Sequence, residues 1–121
     1  MTFYHLNKII KLIENDKMYC NFQYRPGFSI KNYGDIPEFY NKADGDPWDI
    51  FAPGYTYELP IERLYQIKHI IGIYVLENGN HKIAIRVFVP GFNKNIVDKQ
   101  IKTYCNNYSK LTKIKGRFLY F

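Results

Sequence analysis

Residues 65–76, YQIKHIIGIYVL, and 81–89, HKIAIRVFV, are two long runs rich in β-branched residues, separated only by Glu77-Asn78-Gly79-Asn80. Asn-Gly accepts the positive φ that a tight turn demands, so the pair predicts a β-hairpin. In the second run Ile83, Ile85 and Val87 share one face, opposite Lys82, Ala84, Arg86 and Phe88. The rest of the chain has to complete a sheet around this hairpin.

Leu6, Ile9, Ile10 and Ile13 recur at helical spacing, which predicts an amphipathic helix over residues 4–15. Met18 to Tyr24 alternates and reads as a strand, broken by Arg25-Pro26-Gly27. Gly34, Pro37, Gly45, Pro47, Pro53, Gly54 and Pro60 punctuate residues 33–60, which predicts loops with one short strand over Trp48–Ala52. Val97, Ile101, Tyr104, Cys105 and Tyr108 form the stripe of a second helix, for which Asn93 or Asn95 is the expected cap. Arg117 to Phe121 closes the order as a strand. The expected fold is α+β: a small, mostly β, OB-like barrel with an amino-terminal helix and a helix near the carboxyl terminus.

The 121 residues suit one domain, and 46% apolar with 23% charged residues is ordinary globular composition. Twelve Tyr and nine Phe favour half-buried strands, although the joint abundance of Ile, Asn, Lys, Tyr and Phe also fits a codon bias. The net charge of +6 favours anionic ligands, but it is spread over single lysines, with no dedicated nucleic-acid tail. Cys20 and Cys105 match no metal or redox spacing. No secretory signal and no apolar run near the roughly 18 residues of a membrane span is visible, which predicts a reduced, cytoplasmic setting without membrane association.

Asp44-Gly45-Asp46-Pro47-Trp48-Asp49-Ile50 is the one segment dense in site chemistry. Close carboxylates repel one another unless a cation or solvent screens them, and oxygen-rich clusters suit hard ions such as Mg²⁺. The competing reading is an Asx-rich turn, since Asp-Gly and Asp-Pro are common turn dipeptides. An EF-hand is excluded, because Trp48 and Asp49 stand where that loop needs an oxygen ligand and a glycine. A phosphatase Asp-x-Asp nucleophile would follow an apolar strand, whereas Asn41-Lys42-Ala43 precedes this one. No glycine-rich phosphate loop is present either.

The segment resembles the signature of the soluble, single-domain, Mg²⁺-dependent inorganic pyrophosphatases: Asp-Gly-Asp-Pro, an apolar residue, Asp, and another apolar residue. Asn32-Tyr33-Gly34, about ten residues upstream, is similar to the family's Asn-Tyr-Gly. Gly72-Ile73-Tyr74 and Lys82 to Val87 resemble its next hairpin, and Tyr108 its closing tyrosine. Agreement is best over residues 29–90, weak over 91–121, and slight over 1–28, as in a divergent, truncated member. The resemblance implies that Asp44 and Asp49 bind Mg²⁺ and that Asp46 takes the proton of a nucleophilic water. It implies that Tyr33, Lys82 and Tyr108 hold the oxygens of phosphate or pyrophosphate.

The departures are as informative. The family's two further metal-binding aspartates have no counterpart in Glu77 to His81. Glu77 could reach a metal, while Asn80 and His81 offer only neutral donors, and His81 reads better as a hairpin residue. Ser29 stands for an expected tyrosine and Ser109, beside Lys110, for an expected lysine. The glutamates, lysine and arginine of the family's first strands are missing, and Lys17 or Arg25 could replace them only by coincidence. The usual last helix does not follow Phe121. The expectation is a pyrophosphatase-like protein that binds Mg²⁺ and phosphate or pyrophosphate with hydrolysis impaired or lost. The alternatives are an active enzyme, and a basic structural or nucleic-acid-binding module, the last the weakest. An apolar surface left by missing terminal elements would then serve a protein partner or a homo-oligomer.

Overall fold

A computed structural model describes residues 3–59 and 63–121, with side chains from Leu6 onward. Pro60, one of the punctuating residues, lies outside the described residues. The order is α1 (Phe3–Asn15), β1 (Tyr19–Tyr24), β2 (Asn32–Tyr40), β3 (Pro47–Phe51), β4 (Tyr65–Leu76), β5 (Lys82–Val87), α2 (Val97–Thr112) and β6 (Gly116–Tyr120).

The strands run β1-β2-β3-β5-β4-β6, and a further pairing of β1 with β4 closes the first five into a barrel. All neighbours are antiparallel except β3 and β5. This is the small α+β barrel that the sequence predicts, with both helices. The hairpin forms at the expected place: Gly79 takes φ +82° and its N–H donates to the Leu76 carbonyl at 3.1 Å. Register shifts at Ile67/His69 and Ile70/Gly72 bend β4, as bulges do, so one end pairs with β1 while the other carries β6.

The interior is filled from every wall: Cys20 and Phe22 of β1, Ile36 of β2, Trp48 and Ile50 of β3, Ile73 of β4, Ile83 and Ile85 of β5. The α1 stripe joins this cluster through buried Leu6 and Ile13. A second cluster lies outside the barrel, where α2 sets Val97, Ile101 and Tyr104 against Phe51, Tyr74 and Ala84. Residues 84 and 51 are thus buried on the outer side of their strands. The barrel has one covered outer face, and the polar site lies at its margin. No helix among the described residues is long and apolar enough to cross a membrane.

Two local expectations are corrected. The loop predicted from residue 33 onward contains the nine-residue β2. Gly34 is no break there: a Cβ would lie 1.7 Å from the Asn21 carbonyl oxygen, so glycine lets β1 approach. Pro37 falls beyond the paired register with β1, beside a shift in the register with β3, where a missing N–H costs little. At α2 neither asparagine caps the helix. The N-cap is Ile96, without a side-chain bond, and Asn93 Oδ1 instead accepts from the Asn95 N–H at 3.0 Å.

Candidate functional site

Strand register sets one row of side chains across the outer face: Asp35 of β2 is opposite Asp49 of β3, which is opposite Lys82 of β5. Tyr33, two residues before Asp35, shares that face. Lys82 is 4% exposed, and an ammonium buried so deeply needs partners. Its Nζ donates to Asp49 Oδ2 at 2.9 Å and to the Tyr33 hydroxyl at 2.6 Å. The rings of Tyr33 and Tyr108 lie 5.3 and 5.2 Å from the same nitrogen, within cation–π range.

The break at Arg25-Pro26-Gly27 is the turn between β1 and β2. The Arg25 N–H donates to the Lys31 carbonyl at 2.7 Å, and Phe28 N–H donates back to the Arg25 carbonyl at 3.2 Å. The guanidinium is thereby laid over the Tyr33 ring, 4.3 Å from its centroid, with Phe28 at 5.7 Å. Two cations, Arg25 and Lys82, therefore contact one phenol. Burial, then Tyr104, then the charge of Asp49 push the Tyr33 hydroxyl far above the ordinary phenol range, so it remains a protonated hydrogen-bonding group. Tyr108 moves upward as well, through burial and Asp49.

Asp35 is held above the ordinary carboxylate range by burial and by the Asp49 charge across the strand pair. A cavity of about 340 Å³ opens beside it, bounded by Asn21, Gln23, Arg25, Tyr33, Asp35 and Asp49. A second, of about 430 Å³, lies between Arg25, Phe28, Tyr33, Tyr104, Tyr108 and Lys110. The two share Arg25 and Tyr33.

Of the residues singled out in the sequence, Tyr33, Asp49, Lys82 and Tyr108 meet. Asp44 and Asp46 do not join them. Both are exposed, and the Asp46 N–H donates to Asp44 Oδ1 at 2.9 Å, an Asx turn eased by Gly45 at φ +76°. Buried Asn41 anchors this turn, accepting from Ala43 N–H at 2.9 Å and donating to the Gly79 carbonyl at 3.2 Å. Among the described residues no three His, Cys, Asp or Glu side chains gather as a metal-binding group. The donor chemistry that remains is the Asp35–Asp49 pair. Mg²⁺ is commonly held by one or two carboxylates with substrate phosphates, so this pair suits an ion that arrives with a phosphate.

The other donors near the hairpin have structural work. Glu77 Oε1 accepts from the Lys115 N–H at 3.1 Å, and buried His81 accepts at Nδ1 from the Leu76 N–H at 2.9 Å. Asp35 and Tyr104 were not singled out in the sequence as site residues, and Arg25 entered only as a coincidental replacement. Asp35 follows Tyr33 at strand spacing, a signal that recognising β2 would have exposed. Arg25 and Tyr104 depend on a turn and on helix docking, which carry no short-range signature. No protein-family model matches the chain, and no curated protein matches it.

Proposed function

We propose that this chain is a pyrophosphatase-like barrel that binds phosphate or pyrophosphate together with Mg²⁺, with hydrolysis impaired or lost. The observation that carries the reading is the alternation of charge around Tyr33. Arg25 and Lys82 supply two cations, and Asp35 and Asp49 two carboxylates, on one outer face. Such a balanced set attracts neither a bare anion nor a bare cation strongly. It complements a metal–phosphate pair, whose oxygens meet the guanidinium, with the buried Lys82 ammonium adding charge behind Tyr33 and Asp49, and whose metal meets the carboxylates. The resemblance of Asn32-Tyr33-Gly34, Asp49 and Lys82 to the pyrophosphatase pattern supports the same ligand.

The reading of impaired hydrolysis rests on Asp46. The resemblance gives it the water-activating role, yet it stands on an exposed turn, its backbone tied to Asp44. A general base has to reach the proton that it removes. A cytoplasmic, soluble protein is the matching setting. The test pairs phosphate release from Mg²⁺-pyrophosphate with a thermal-shift series in the same ligand at constant ionic strength. A rising transition temperature, with hydrolysis no faster than in Asp46→Asn, is expected. Wild-type hydrolysis well above that variant would establish a working enzyme instead, and a flat thermal series would remove phosphate binding altogether.

A further inference from the structure

The proposed phosphate site accounts for only one of the two cavities that share Arg25 and Tyr33. The 430 Å³ cleft beyond it has walls of a different kind. Tyr33, Tyr104 and Tyr108 form one side, and Phe28, 51% exposed, stands at the rim. Arg25 and Lys110 line it and, among the described residues, no carboxylate does. Its volume falls in the range of about 300–1,000 Å³ typical of pockets for organic ligands. Inorganic pyrophosphate is small and polar throughout, and it would leave the aromatic part of this cleft unfilled.

We propose that the site takes a nucleoside phosphate, its phosphates at Arg25 beside Tyr33 and its base in the tyrosine cleft. This rests on the phosphate-binding reading above and adds the organic half of the ligand. Aromatic faces stack on any base, and Arg25 and Lys110 favour the anionic end. Asn107 and Ser29 line the same cleft and carry the donor and acceptor groups that read a base edge. Phe28 lines the cleft with half its surface exposed, 5.7 Å from the Arg25 guanidinium, and so offers a ring to a planar ligand.

Equilibrium titrations with inorganic pyrophosphate, ADP and a single-stranded oligonucleotide, all with Mg²⁺ at one ionic strength, test this directly. ADP is expected to bind about tenfold more tightly than pyrophosphate, the order of one base–aromatic stack. Phe28→Ala should abolish most of that preference and leave pyrophosphate affinity within about twofold. Pyrophosphate binding with no gain for ADP, or a gain indifferent to Phe28, overturns the nucleoside proposal and leaves the phosphate reading standing. Failure of both small ligands overturns both. An oligonucleotide bound more tightly than ADP, with steep salt dependence, replaces the small-molecule ligand by a nucleic acid.

Discussion

Asp49→Asn removes the formal negative charge paired with a 4%-exposed ammonium while keeping the side-chain shape. Breaking a buried ion pair on one side costs about 3–5 kcal/mol, because the surviving charge stays desolvated. Two features lower that figure. Asp49 is itself 30% exposed, so part of the pair is already screened by water. The Tyr33 hydroxyl at 2.6 Å and the rings of Tyr33 and Tyr108 still face Lys82, and cation–π contacts are worth about 0.5–2 kcal/mol. The expected loss is therefore about 2 kcal/mol. Lys82→Met leaves Asp49 to the solvent and should cost less, about 1 kcal/mol. In the double variant Asp49→Asn should add almost nothing, a coupling of about 2 kcal/mol in the cycle. Urea titration followed through Trp48, the sole tryptophan and 4% exposed, gives all four stabilities. Equal cost of Asp49→Asn with and without Lys82 would refute the reasoning, since it would mean that the ammonium reaches water.

Three further outcomes follow from local geometry. Burial lowers His81 below its ordinary 6.5, so stability should be full above that pH and fall as pH drops through it; His81→Asn, which keeps an acceptor for the Leu76 N–H, should flatten the slope between about pH 8 and 5. Gly34→Ala would press a Cβ against the Asn21 and Phe22 backbone and should cost roughly 3 kcal/mol or prevent folding, whereas Gly27→Ala, with nothing within 4 Å, should leave the urea midpoint unchanged. Burial raises Cys20 far above the ordinary thiol range and Cys105 to about 12, so neither should react appreciably with iodoacetamide at neutral pH until the protein unfolds.

The elements carried by strong periodicity were readable. The 65–76 run forms β4 over those same residues, and the α2 stripe buries Val97, Ile101 and Tyr104. β2 was hidden because Gly34 and Pro37 are loop residues by habit and strand residues by tertiary need: one admits a neighbouring backbone, the other sits past the paired segment. Of the Asp44-Gly45-Asp46-Pro47-Trp48-Asp49 segment, the first two carboxylates sit on the turn and Asp49 lies in the row with Lys82. Tyr33 and Lys82 were legible as a pair only through the pyrophosphatase resemblance, since 49 residues separate them. The contribution of Asp35 depends on register, which periodicity alone does not supply.

The central claim is that a metal-bound phosphate binds where Arg25 and Lys82 meet Tyr33. Isothermal titration of Mg²⁺-pyrophosphate into the wild type and Arg25→Gln tests it most directly, with urea midpoints as the control for folding. Saturable binding at one site is expected, weakened about tenfold or more in the variant, the scale of one lost charge-assisted contact, while stability falls by no more than about 1 kcal/mol through the lost stacking on Tyr33. No saturable binding, or equal affinity in the two proteins, would contradict it.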